Sequence, residues 1–490
     1  MAMHVLRIGL VIFLATFSLA RAADETIPPQ GSRTDDPGPT LVSPEAVPGA
    51  ASRIKRLYDP IEFRADILPE LVGREISRLR MFSLKDGRMS QIAFQIDEWT
   101  QGGHMILDQG ESANHDQSNG LLDPWDEVVF MVRDTGARAS REQWPAGVDT
   151  GTEIRIADPL TREDAWCYLL HHADAPPQSP VQNVKRVDET KDFVASGLTY
   201  RVYGTNHTRG RKVYRTIVNQ HIWITPEAGG DGMDFIDRSK LRIFASMFFG
   251  AIKVDVDEDS IIGGVEKYKQ GPVRSVARQW FGITMPMKLK SPKIYGDVYC
   301  YDTIILIAGQ TNFPINPGYV LTEFRMTLGY DLHMPNAMGM LWYNSNNPDG
   351  FLVDGVTSPM ESRFRPQPDD WRCVVGSNGW MVHRGRWDEE YSRQASISVI
   401  YRDDIRKDLP PEYYPGELGY YGVESVIKSL EARGYQYQFD WYWPDHFYSP
   451  KELRMDLVQE IKDIRDSPLE IIVGSARVIN QAGKATLLEP

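Results

Sequence analysis

The chain has 490 residues, 42% hydrophobic and 25% charged, with a formal net charge of −13. So acidic a balance argues against a nucleic-acid surface, because phosphates would be repelled. The length suffices for two or three domains with substantial buried cores.

Residues 1–22 read as a cleavable signal peptide. Arg7 precedes the apolar run Ile8 to Leu19, and Ala20-Arg21-Ala22 supplies the small-x-small pattern of a cleavage site. The run is shorter than the roughly 20 residues needed to cross a bilayer, and no Cys follows it to carry a lipid. No later stretch is long and apolar enough. The expected location is periplasmic or secreted, with no membrane span after signal cleavage. Residues 23–55 carry Pro28, Pro29, Pro37, Pro39, Pro44 and Pro48 among Gly, Ser and Asp, and read as a disordered Pro-rich linker.

Over residues 56–178 apolar side chains alternate: Ile61, Phe63 and Ala65; Ile92, Phe94 and Ile96; Val128, Phe130 and Val132; Ile154 and Ile156; Trp166, Tyr168 and Leu170. A period of two marks strands with one buried face. Turns such as Lys85-Asp86-Gly87 separate them, so this region is expected to be an N-terminal antiparallel β-sandwich domain. The Pro-rich segment Ala175 to Pro180 closes it.

Residues 181–490 read as a larger β-rich domain. Strand-like runs fall at Leu198 to Val202, His221 to Ile224, Ile252 to Val256, Val273 to Ala277 and Thr303 to Ala308. Two C-terminal helices are expected. Val423, Val426, Ile427 and Leu430 follow helical spacing, with Gly434 beyond them. Ser449-Pro450-Lys451-Glu452 then opens a second helix, with Leu453, Leu457, Ile461 and Ile464 along one face. The run Leu469 to Val473 reads as a last strand.

The three cysteines, Cys167, Cys300 and Cys373, allow one disulfide at most. Cys300–Cys373 is the favoured pair because both lie in the larger region, and three buried thiols are the alternative. No C-x-x-C-H occurs, so no c-type haem is attached, and no P-loop or Rossmann fingerprint points to a nucleotide cofactor.

The most specific local signal is Asn119-Gly120-Leu121-Leu122-Asp123-Pro124-Trp125-Asp126-Glu127, which matches the second half of a calcium loop. Asp97, Asn119, Asp123, Asp126 and Glu127 are its candidate ligands for a structural calcium ion. The competing reading is an Asx-rich turn.

Between 330 and 450 the chain carries 22 aromatic residues in 121 positions. Ring faces of Trp and Tyr stack on sugars, so Trp371, Trp380, Trp387, Trp441 and Trp443 are candidate ligand-binding residues, with ordinary core packing as the alternative. His333, His383, Tyr391 and His446 are the candidate acid–base groups, although no spacing selects a mechanism.

Phe94-Gln95-Ile96-Asp97-Glu98 and Asp123-Pro124-Trp125-Asp126-Glu127-Val128-Val129-Phe130-Met131 resemble segments of a family of uncharacterised exported β-rich bacterial proteins. Gly271-Pro272-Val273-Arg274 is similar to a short strand of mutarotase-like supersandwich proteins of carbohydrate metabolism. These resemblances imply export and a mainly β fold: an N-terminal β-sandwich followed by a larger β-sandwich or supersandwich. The leading functional expectation is binding of a carbohydrate or similar polymer, with or without processing of it. A non-catalytic envelope accessory protein with a protein partner is one alternative, and a polysaccharide lyase or glycosidase is another.

Overall fold

Runs of Val, Ile, Tyr, Phe and Trp separated by turn residues favour pleated, half-buried backbone, and the chain folds almost wholly as antiparallel strands. The structure is a computed structural model that describes residues 54–482, apart from 185–192, 210–211, 227–229, 231, 233, 248, 258–260, 286–288, 291–292, 313–315, 317–318, 320, 334–335, 377–378, 405–416, 428–430, 432 and 445–452. The signal peptide and nearly all of the linker lie outside the described residues. Counts and absences below refer to the described residues.

Four sheets stack as layers. The first has six strands, in the order Ala476–Ile479, Glu470–Val473, Val148–Ala157, Asp164–His172, Leu79–Lys85 and Arg88–Gln91. The chain's last two strands thus return to pair with the N-terminal region. In the Leu79–Lys85 hairpin, Asp86 and Gly87 have φ of 50° and 73°, the double positive φ that a two-residue hairpin turn requires. The second sheet has three strands, Pro60–Arg64, Glu127–Met131 and Phe94–Asp97.

The third, central sheet has eleven strands. Its order runs Asn347–Leu352, Leu341–Asn344, Arg372–Gly376, Gly379–Trp387, Gly434–Tyr442, Ile304–Asn312, Ile294–Cys300, Ser275–Met285, Ile261–Gln270 and Gln109–Gly110, with Leu289–Lys290 beside Ser275–Met285. The fourth sheet has eight, including the long strands Asp234–Met247, Leu321–His333 and Glu417–Ile427.

Each interlayer space is a hydrophobic core. Ile61, Phe63, Val128 and Phe130 of the second sheet face Leu79, Met81, Ile154 and Leu169 of the first. Val129 and Met131 point the other way, against Tyr299, Leu306, Val382 and Tyr442 of the central sheet. The strand Glu127–Met131 is therefore buried at all five positions. The alternation in the sequence captures one of its faces; stacking buries the other as well. The far face of the central sheet packs Val298, Phe439 and Trp441 against Ile236, Leu332 and Tyr421 of the fourth sheet.

Two sequence expectations change. Glu417–Ile427 is a strand, not a helix, and it pairs along its length with Leu321–His333 on one side and Ala395–Arg402 on the other. Val423, Val426 and Ile427 are β-branched, and two flanking partners outweigh a helical spacing of three residues; Leu430 lies outside the described residues. The later helix does form, at Met455–Asp466. It sets Val458, Ile461 and Ile464 on the core between the second and central sheets, with Leu453 and Leu457 partly buried beside them. The second correction concerns the cysteines, which are all buried and outside any disulfide. Cys300 belongs to the core on one face of the central sheet and Cys373 to the core on the other, so the sheet itself separates them.

Candidate functional site

The sequence-predicted sugar platform is not a surface. Trp371, Trp380, Trp441 and Trp443 are each less than 5% exposed, and Trp387 is half-buried against Tyr391, Tyr437 and Phe439. Trp441 and Trp443 fill one face of the central sheet, while Trp371 and Trp380 fill the other. A sheet covered on both sides needs large side chains in both directions, and this accounts for the aromatic excess.

The candidate acid–base groups do not meet. His383 is fully buried, stacked on Trp441 at 5.1 Å between ring centroids. Burial, with Arg372 nearby, drives its imidazole well below the usual range, so it stays neutral. Tyr391 shares a 2.6 Å hydrogen bond with Ser425 Oγ in a separate small cluster. His333 ends the Leu321–His333 strand, paired with Glu417, and His446 lies outside the described residues.

The candidate metal ligands also part company. Asn119 and Asp123 form a surface turn, in which Asn119 Nδ2 donates to Asp123 Oδ2 (2.8 Å) and Leu121 N–H donates to Asn119 Oδ1 (2.9 Å). Asp126 turns inward and accepts the N–H groups of Trp99 (2.8 Å) and Asp123 (2.7 Å). Asp97 and Glu127 are buried elsewhere, on Arg274. No group of three or more His, Cys, Asp and Glu side chains is arranged to hold an ion. The Asx-turn reading fits this loop.

Arg274 explains three of the motifs at once. Its guanidinium reaches Asp97 through Nε (2.8 Å) and Nη2 (2.7 Å), Glu62 through Nη1 (3.0 Å), and Glu127. Tyr301 accepts from Arg274 Nη1 (3.0 Å) and donates to Glu62. Gln95 donates to Asp97 (2.8 Å), and its carbonyl accepts the N–H groups of Val273 (3.3 Å) and Arg274 (3.1 Å). A Cβ at Gly271 would lie 1.8 Å from Gln95 Oε1, which is why a glycine stands there. The Phe94–Glu98, Asp123–Met131 and Gly271–Arg274 segments therefore converge on one buried ionic lock between the second and central sheets.

Within the lock, three carboxylates face Arg274 and Lys269, whose Nζ lies 2.9 Å from Asp97. One acid is in excess. Burial, aided by Glu127 and Asp97 and opposed by Arg274, lifts Glu62 from 4.5 to about 7. Burial also raises Asp97, but Lys269 and Arg274 more than offset it and leave Asp97 below its ordinary value.

The same face of the central sheet continues past this cover. Directly paired residues of antiparallel strands share a face. Val276, Tyr299, Leu306, Asp440 and Arg384 form one cross-sheet row, and all are buried. Two residues further along each strand, the row is Arg278, Asp297, Ala308, Gln438 and Arg386; the first three are buried, Gln438 is half-buried and Arg386 is exposed. The next row is Trp280, Tyr295, Gln310 and Gln436, all partly or fully exposed. Burial thus falls row by row, and the cover ends at the second.

These open rows carry chemistry that the sequence reading missed. Trp280 and Tyr295 stand side by side, flanked by the amides of Gln310, Gln436 and Gln438. Arg278 lies over the Tyr295 ring (5.0 Å), 3.7 Å from both Asp297 and Glu266. The signal in the sequence was polar or aromatic residues two apart (278 and 280, 295 and 297, 436 and 438). Planar amides such as those of Gln310 and Gln436 can bind hydroxyls while ring faces stack on C–H surfaces.

No protein-family model matches this chain, and no curated protein matches it. Among solved structures it is similar to an α-mannosidase from Enterococcus faecalis V583, with 10% identity and a TM-score of 0.40 over 86% of this chain and 44% of that one. It is also similar to a heparan sulfate lyase from Pedobacter heparinus, with 8% identity and a TM-score of 0.29 over 62% and 43%. A protein described as an aldose 1-epimerase from Escherichia coli K12 gives 10% identity and a TM-score of 0.21 over 46% and 92%. The chain spans less than half the length of the first two.

Two expectations follow from the lock and the loop. Arg274→Leu strands buried carboxylates and should cost about 3–5 kcal/mol in urea unfolding; an unchanged midpoint would contradict the lock. Because folded Glu62 holds its proton up to about pH 7 against 4.5 ordinarily, the native state binds more protons in that window. Its contribution to stability is complete below about 4.5 and is lost as pH rises towards 7, so Glu62→Gln should flatten that decline. For the Asn119–Glu127 turn, melting curves with millimolar calcium and with chelator should coincide, whereas a calcium-dependent rise abolished by Asp123→Ala would restore the ion site.

Proposed function

We propose that this protein binds carbohydrate on the open rows of the central sheet. The observation that carries the reading is the Trp280–Tyr295 pair, set in register with Gln310 and Gln436 and beside Gln438 where the cover of that face ends. Elsewhere on the central sheet the large aromatics are consumed by cores; here two of them meet solvent beside hydrogen-bonding groups. Export to the periplasm or medium, expected from the N-terminus, would place such a face where polysaccharides occur. The reading is of a binding platform; His333 and His383 lie outside these rows.

Trp280→Ala and Tyr295→Ala should each weaken binding on a glycan array by at least about tenfold, the effect of losing one to two kcal/mol of ring contact. Melting temperature should change little, because both rings are partly exposed. Full retention of binding in the double variant would remove the site.

A second reading, an accessory protein with a protein partner, is favoured by one observation. Phe249 and Tyr319 are 99% and 84% exposed, and the Met247↔Leu321 pairing brings their segments to the same end of the fourth sheet. Phe249 also adopts a φ of 56°, unusual for a bulky residue. Loss of a cross-linked envelope partner on Phe249→Ser, with glycan binding intact, would mark this end as an interface.

A further inference from the structure

The charges around the open rows say more about the ligand than its being a sugar. Lys267 is paired in register with Arg278, at the row's first strand. Lys293 is exposed and lies over the Trp280 ring, 4.4 Å from its centroid. Arg386 ends the same row on the far side and is also exposed. From the strand of Lys267 to that of Arg386 there are five interstrand steps, about 24 Å at roughly 4.8 Å per step. Cations thus stand at both ends of the platform and over its aromatic pair.

Their surroundings do not cancel them. Asp297 and Glu266 flank Arg278 at 3.7 Å, Asp466 pairs with both Arg384 and Arg386, and Asp440 pairs with Arg465. Lys267 and Lys293 have no carboxylate within ion-pair distance among the described residues. Like charges are crowded together: burial, then the neighbouring Arg278, hold Lys267 below its ordinary value. Burial with Arg465 and Arg384 does the same to Arg386 despite Asp466. An arriving anion would relieve both repulsions. In a chain of net charge −13, most of the surface repels anions, so a local excess of cations on this face is selective.

Resting on the carbohydrate reading, we infer that the ligand is an anionic glycan, one whose carboxylate or sulfate groups meet Lys267, Lys293 and Arg386 while its rings lie on Trp280 and Tyr295. The guanidinium fork of Arg386 suits planar or tetrahedral oxyanions. The lysines act as point charges at the entry side, where they also steer the approach of a polyanion.

The test is titration of the full chain with a panel of uronate-containing and sulfated oligosaccharides, each matched with its carboxyl-reduced or desulfated counterpart. The charged member of at least one pair should bind about tenfold or more tightly than its neutral counterpart, with affinity falling as salt is raised. Lys267→Gln with Lys293→Gln should erase most of that preference, lowering the affinity of the charged member far more than that of its neutral counterpart. Equal binding of both members overturns the anionic assignment and leaves carbohydrate binding standing. Binding of neither class overturns both readings. Charged binding that survives both lysine changes and Trp280→Ala places the ligand elsewhere and overturns the site.

Discussion

The central sheet is covered along one face by the fourth sheet, and on the other face only as far as the second sheet and one helix extend. Much else follows from this constraint. Where both faces are covered, every side chain in both directions must be apolar or paired, because an unsatisfied buried polar group costs several kcal/mol in the worst case. That region is therefore filled by Trp342, Trp380, Trp441 and Tyr442, and the charged groups that do enter it are paired: three carboxylates on Arg274, Asp440 with Arg465, and Arg372 with Asp369. Where the cover stops, the same backbone presents guanidinium, amide and aromatic groups to solvent. The ionic lock and the open platform are two consequences of one boundary.

Much of the architecture was legible because a period of two survives stacking. Ile61 and Phe63, or Ile154 and Ile156, occupy the faces their alternation assigns. What alternation could not show was that Val129 and Met131 meet a further layer, since a strand buried on both faces differs from one buried on a single face only by the absence of polar residues between. The Val423–Ile427 segment misled for a related reason. In a strand flanked on both sides, Ser425 is buried and hydrogen-bonded to Tyr391, and its polar side chain made the spacing of its neighbours look helical.

The functional residues were less legible, and the reasons are specific. The aromatic density between 330 and 450 is real, but density does not reveal which way a ring points. The platform rings, Trp280 and Tyr295, lie outside that window, on strands with no unusual composition. They become a site only through registers linking residues 264–280 to 295, 310 and 436, which no local pattern encodes. Two members of the acidic motifs have a partner that the motifs do not show. Asp97 and Glu127 serve a buried arginine almost 150 residues away or more, a partner that spacing within a calcium loop cannot suggest.

One stretch of chain shows how the parts depend on each other. Arg274, Val276, Arg278 and Trp280 point to the same face, over about 20 Å of extended backbone at roughly 3.4 Å per residue. Arg274 is held by three carboxylates of the N-terminal region, Val276 packs beneath that region, Arg278 sits where the cover ends, and Trp280 stands beyond it. Fixing the first residue of the series limits the sliding or twisting of the strand that carries the last. A ring that is already positioned loses less freedom when a sugar stacks on it, and the saving appears as affinity. On this view the lock does more than join two layers. Under the proposed carbohydrate reading, ordering the floor of the platform would suit a shallow, half-open surface to a flexible polymer, a task for which a mobile aromatic pair would be poorly suited.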